Sequence, residues 1–264
     1  MIRSFEDARI APSLPNLEVK MSSIVGADYG GMPYEIIAPV IVSNPTRYLV
    51  ALTFDDGPHP EHTKTILDVL DENDSHGTFF VIGEKISENS ELISDALDRG
   101  HEFYGHSWNH PVRNVWTIQN YTYYVDQIIK PHNALKNIKT EPIRLFRAPG
   151  GSVSNPILYY AIQNLGFAEI HWSIDPKDWQ LRDTQKIIDA TLNNRGKPRT
   201  FFGEIVLSHD IYKETADAMK TVIPRLRSAG YELVTISELA KRTGNGFYTG
   251  ARYKKFTPPR NAPL

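Results

Sequence analysis

Apolar positions along this chain fall into short runs that stop at charged residues. The clearest, 48–54, ends abruptly at Asp55-Asp56 and turns through Gly57-Pro58. Further β-rich runs cover 78–82, 102–104, 144–147, 168–174, 204–207 and 231–235. Between them lie segments of helical spacing. In 63–73, Ile66, Leu67 and Leu70 recur on one face, and in 90–100 so do Leu92, Ile93, Ala96 and Leu97. Gly100 and Gly230 stand where two of these helices should stop, and Pro224 is expected to kink the second. Strands alternating with helices predict βα units and a mainly parallel sheet. The pattern predicts an α/β fold, a (β/α) barrel of about seven parallel strands with outer helices and one unit missing. An open doubly wound sheet is the alternative. Both architectures place active sites at the C-terminal ends of strands.

The first 45 residues show no sustained period and read as an extension packing on the main domain, with a strand over 35–42. The main domain is expected over 46–243. A C-terminal tail is expected over 244–264, Pro-rich and irregular over 253–264.

Composition changes this picture little. The chain has 264 residues, 41% of them hydrophobic, which suits one domain with a sizeable core. With 29 basic against 31 acidic residues and no basic block, nucleic acid is not an expected partner. The absence of cysteine removes disulfides, thiolate metal sites and a thiol nucleophile. The longest apolar stretch, 36–42, is far short of the roughly 20 residues that cross a bilayer. The first 20 residues hold no apolar signal core, which fits either a cytoplasmic protein or one whose export segment was removed.

The chemistry gathers where the runs end. Asp55 and Asp56 follow the first, His106 and His110 the third, Arg147 the fourth, Asp178 and Trp179 the fifth, and His209 the sixth. Two histidines four apart on a helical turn can share a metal, and a carboxylate from another strand end completes a site with open positions. Adjacent carboxylates repel. A metal on Asp56 would relieve that repulsion and leave Asp55 as a general base, held ionised by Arg147. His209 is a candidate general acid, oriented by Asp178. Trp179 and Leu207 are either plain core or the walls of a methyl-sized pocket. The Pro149-Gly150-Gly151 turn offers backbone N–H groups to an oxyanion. His59, His62, His76, His101, His132 and His171 read as structural, and Tyr121, Tyr123 and Tyr124 as packing.

Taken in order, "TFDDGP", "HSWNH", "RAPGG", "DPKDW" and "LSHD" resemble the five motifs of the polysaccharide deacetylase family, also called the NodB-homology or carbohydrate esterase family 4 domain. The resemblance spans residues 48–240. It implies a distorted (β/α) barrel and a divalent metal, usually zinc with cobalt as an alternative, on Asp56, His106 and His110. It further implies Asp55 as base, His209 as acid, Arg147 and Asp178 as their tethers, and Gly150, Trp179 and Leu207 on the substrate side. The implied activity is removal of N-acetyl groups from N-acetylglucosamine polymers, peptidoglycan first, then chitin or its oligomers, then acetylated xylan. Secretion or cell-wall association is implied as well. One departure stands out: the third motif often carries Tyr where this chain has Gly150. A silent carbohydrate-binding relative and a non-haem iron oxygenase are the rival readings; the first should have lost Asp55, His106, His110 or His209, and the second needs no second carboxylate.

Overall fold

The computed structural model describes residues 35–37, 48–111, 121–138, 143–151 and 156–257. Each apolar run forms a strand: β2 (Leu49–Asp55), β3 (Thr78–Val81), β4 (Glu102–Gly105), β5 (Leu145–Phe146), β6 (Ala168–Ile170), β9 (Glu204–His209) and β10 (Glu232–Leu233). Before them stands β1 (Glu35–Ile37), and a small hairpin of β7 (Asn193–Asn194) and β8 (Lys197–Pro198) intervenes. The helices are α1 (His62–Glu72), α2 (Ser90–Asp98), α3 (Tyr121–Lys136), α4 (Pro156–Asn164), α5 (Asp178–Leu181), α6 (Thr184–Leu192), α7 (Lys213–Ser228) and α8 (Ile236–Arg242). Gly100 and Gly230, at φ 88° and 86°, follow α2 and α7 as helix stops that a Cβ would disfavour. α7 runs through Pro224 without interruption.

All pairings in the main sheet are parallel. β9 lies along one edge of β2. The other edge is shared, β10 taking its start at Leu49 and Val50 and β3 its end at Thr53 to Asp55. β4, β5 and β6 follow in order. The ring comes round on itself where Ile174, just past β6, bridges Val206 of β9. This is the expected distorted barrel.

The tail departs from expectation. It carries β11 (Phe247–Tyr248), antiparallel to β1, and β12 (Arg252–Tyr253), parallel to β6. Lys255 then bridges Glu204, so the tail fills the lower gap between β6 and β9. The Glu169 carboxylate, buried on β6, pins β12 through Arg252 at 2.6 Å. Of the extension expected over residues 1–45, only β1 lies within the described residues.

Strand alternation sorts the core. Leu49, Ala51, Phe80, Tyr104, Leu145, Ala168, Ile170 and Ile205 pack inside the barrel. Val50, Leu52, Phe54, Phe79, Phe103 and Val206 face the outer helices, packing on Ile66, Leu70, Met219 and Ile223. The same two-residue period puts Thr53 and Asp55 on the inner face of β2, Arg147 on that of β5 and His209 on that of β9. The fold thereby aims these groups into one barrel mouth.

Candidate active site

β2 ends with Asp55 in register with Phe80 on β3 and His209 on β9. Asp55 is buried, and its Oδ1 accepts from Arg147 Nη1 at 2.7 Å. Arg147 is itself 1% exposed. Its Nη1 also reaches Thr53 Oγ1 at 2.8 Å, its Nε donates to the Ile170 carbonyl and its Nη2 to that of His171. Its guanidinium lies 4.0 Å from the Phe80 ring centre. Burial pushes the Asp55 carboxyl up, and the charge of Arg147 and then His209 pull it back. A buried cation with donors placed on four acceptors holds the carboxylate in one orientation.

The next residue leaves the strand. Asp56 has φ 73°, a left-handed conformation that costs a non-glycine residue roughly 1–2 kcal/mol. That turn brings its carboxylate back over the rim instead of out toward the helices. Lys85 Nζ holds its carbonyl at 2.7 Å, and Asp210 packs so closely on Gly57 that a Cβ there would strike its carboxylate. Asp210 is fully buried, accepts from Thr63, and is raised to about 7, by burial above all.

The two histidines come together as expected, but by another route. Residues 106–110 form a bend, with Ser107 at φ 70° and His110 at φ 52°, and not the helical turn that their spacing suggested. Trp108 and Asn109 sit between two left-handed residues, so the four-residue spacing closes without an i to i+4 helix contact. His106 Nδ1 lies 2.8 Å from the Arg147 carbonyl. A carbonyl only accepts, so Nδ1 carries the proton and Nε2 presents its lone pair. Burial lowers His106 to about 3, leaving it neutral. Its Nε2 is 3.5 Å from Asp56 Oδ1, and His110 Nε2 is 3.6 Å from the same oxygen. One ligand atom from each of the three residues lies within 4.8 Å of the others. Asp56 Oδ1 is buried and has no hydrogen-bond partner. Such an orphaned carboxylate oxygen, facing one imidazole of fixed tautomer and a second close by, fits a divalent cation.

Across the mouth, Asp178 is fully buried at the start of α5. Its Oδ1 accepts from His209 Nδ1 at 2.8 Å and from the Trp179 N–H at 2.9 Å. Its Oδ2 accepts from the His209 N–H at 2.7 Å and Thr215 Oγ1 at 2.8 Å. Burial works to lower His209, but the hydrogen bond and charge of Asp178, with Asp55 and Asp56 behind it, raise it to about 9. His209 is therefore an imidazolium at neutral pH.

The remaining expected residues sit around this mouth less tightly. Leu207 is buried on β9, two positions before His209 and on the same face, whereas Trp179 is 49% exposed beside Asp178. Gly150 follows Arg147 in a turn, with φ 58°. Tyr121 and Tyr124 are packed, but Tyr123 is exposed and donates to Asn109 Oδ1 at 3.3 Å. His59 Nδ1 accepts from the backbone of Glu61 and His62 at the head of α1, a structural task. The sequence reading did not single out Thr53, Lys85, Gln127 or Thr215. Thr53 was within reach of it, since it shares the inner face of β2 with Asp55 by simple alternation. The others act from separate elements and left no local signal.

Known proteins match this chain over about three quarters of its length. The family model described as Polysaccharide deacetylase matches residues 43–170. The chain is 34% identical over 196 residues to the peptidoglycan-N-acetylmuramic acid deacetylase PdaC of Bacillus subtilis, covering 74% of this chain and 39% of that protein. The solved structure of PdaC matches with a TM-score of 0.65, over 76% of this chain and 92% of that one. A peptidoglycan-N-acetylglucosamine deacetylase of Bacillus cereus is 31% identical over 73% of this chain and 88% of its own length. A chitooligosaccharide deacetylase of Sinorhizobium fredii is 33% identical, over 69% and 87%. The chain thus spans well under half of the first relative and most of the other two. No helix among the described residues is long and apolar enough to cross a membrane. Matches above 30% identity that take in most of each relative's length, on the same curled parallel sheet, establish that the chain belongs to the polysaccharide deacetylase family.

Proposed function

We propose that this chain is a metal-dependent hydrolase that removes N-acetyl groups from N-acetylglucosamine-containing polysaccharide, with peptidoglycan as the leading substrate and acetate as a product. The observation that carries the reading is the pairing of two opposed proton-handling groups in one barrel mouth. A carboxylate held by Arg147 at 2.7 Å lies beside an empty-handed Asp56 oxygen, and an imidazolium held by Asp178 at 2.8 Å stands in register with that carboxylate on the neighbouring strand.

Asp56, His106 and His110 would hold the metal, with zinc the best match to two imidazoles and one carboxylate. Such a cation, when bound, polarises a carbonyl and lowers the pKa of water from about 15.7 toward 7. Asp55 takes the proton of the attacking water. Arg147 keeps that carboxylate charged and turned toward the cleft. His209 gives a proton to the amide nitrogen as the carbon–nitrogen bond breaks, because an amine does not leave as an anion. One water is consumed, and acetate and a free amino sugar result. Leu207 and Trp179 flank the acid and suit the acetyl methyl, and Gly150 faces the same rim without the side chain that family members often carry there.

Peptidoglycan leads because two of the relatives above act on it by name, and chitooligosaccharide follows through the third. The same substrate argues for action outside the cell or at its wall. The test measures acetate release from peptidoglycan, chitooligosaccharide and acetylated xylan side by side. Peptidoglycan is expected to give the fastest release. Asp55→Asn should keep its metal while losing about 10²–10⁴-fold in turnover, the usual share of a general base. A variant with unchanged turnover refutes the assignment of Asp55.

A further inference from the structure

The bend that carries His106 and His110 has an unusual support. Two of its non-glycine residues, Ser107 and His110, are left-handed, so the segment is not held by regular structure of its own. Its carbonyls are taken up from one side: Gly83 N–H donates to the Ser107 carbonyl at 2.9 Å and Glu84 N–H to that of Trp108 at 3.0 Å. Within the bend, the His110 N–H donates to Ser107 Oγ at 2.9 Å. The N–H groups of Trp108 and Asn109 both point to the opposite side. They converge on a single side-chain atom, Gln127 Oε1, at 2.9 and 3.2 Å.

Gln127 lies in the middle of α3 and is 2% exposed. On the same helix face, four positions away in each direction, Tyr123 reaches Asn109, and the Pro131 ring lies where a Cβ at Gly105 would have to go. α3 is thus fitted against the stretch from Gly105 to Asn109. Among these contacts only the Gln127 oxygen bonds the main chain between the two histidines.

We propose that Gln127 is a positioning residue for the metal centre, setting the separation of His106 and His110 through the backbone between them. The inference rests on the reading of Asp56, His106 and His110 as metal ligands. Without the shared acceptor, two partly buried N–H groups lose their partner, and the bend can relieve its left-handed residues by relaxing. His106 stays fixed by the Arg147 carbonyl, so the movement falls on His110, whose side chain is 44% exposed and has no such tether among the described residues. Support of this kind is commonly worth 10–100-fold in metal affinity.

The test is zinc binding to metal-free protein, followed by competition with a chromogenic chelator, and the visible spectrum of the cobalt-loaded form. Wild type should bind one zinc per chain, and His106→Ala should not. Gln127→Met, similar in length but unable to accept, should weaken zinc about 10–100-fold and alter the cobalt bands. Gln127→Glu, which keeps an acceptor at the same place, should restore most of the affinity. If Gln127→Met does not fold, Gln127→Asn, which draws the oxygen back by one methylene, carries the same expectation at smaller size. Unchanged zinc affinity and cobalt spectrum in a folded variant overturn the proposal, even if its melting temperature has fallen. A wild-type protein that binds no zinc overturns the ligand reading beneath it instead.

Discussion

Replacing Asp178 by Asn tests the acid side of the site without touching the metal cluster. In the folded protein His209 stands at about 9 against an ordinary 6.5. At about 1.36 kcal/mol per pH unit, that difference corresponds to about 3 kcal/mol favouring the imidazolium. The side chain of His209 is only 13% exposed, so solvent screens little of it. Burial pulls in the opposite direction, so Asp178 supplies the greater part of the rise. The asparagine also cannot satisfy its surroundings. Both carboxylate oxygens accept a backbone N–H, from Trp179 on one side and His209 on the other. Whichever way the amide turns, its NH₂ faces a donor, at a cost of about 1–3 kcal/mol. The expected result in metal-free protein, followed by the ring signals of His209 in NMR, is a fall in its pKa from about 9 to about 6.5 or lower. Stability should change in step. A histidine raised in the folded state contributes its full stabilisation below pH 6.5 and loses it as pH climbs through 9, so wild type should weaken across that window and the variant should not. A variant in which His209 still titrates near 9 refutes the account of how this imidazole is charged.

Two further substitutions probe the base side and the turn below it. Arg147→Met leaves the Asp55 carboxylate buried without its counter-ion, a change expected to cost about 3–5 kcal/mol. At about 2–4 °C per kcal/mol this lowers the melting temperature by roughly 10 °C. The loss should be greater at pH 8 than at pH 5, because burial lets the unpaired acid take up a proton; equal losses at both values count against the ion pair. Asp210→Asn removes a carboxyl that titrates at about 7 in the fold, compared with 3.8 ordinarily. Its stabilising contribution is present below the lower value and disappears as pH rises through the higher one. Denaturant titration of the variant should therefore show a flatter pH dependence between 4 and 7, and an unaltered slope would mean Asp210 is already ionised when folded.

Much of this molecule was legible in the chain because strands announce their faces. The run ending at Phe54, read by alternation, gives an inner Thr53 and Asp55 and an outer Phe54. The polar residues at the ends of β2, β5 and β9 reach the mouth that parallel order demands. What escaped was geometry that has no period. Histidines four apart suggest a helical turn, yet two left-handed residues bring them together in a bend, and nothing in the letters of Ser107 or His110 requires that conformation. Gln127 was equally silent, because a lone amide in a helix shows its purpose only when the facing loop is known. β12 was missed for its brevity: two residues, Arg252 and Tyr253, followed by two lysines, form too short a string for alternation to appear.

That last strand has a consequence for how the protein is made. β2, near the beginning of the barrel, and β12, near its end, belong to one ring, and the gap between β6 and β9 is filled by residues 252–256. During synthesis the lower part of the ring therefore stays open until residue 256 has cleared the ribosome, even where Ile174 has already bridged Val206 above it. Until that moment β6 presents a bare edge, the kind of surface on which neighbouring nascent chains stick together.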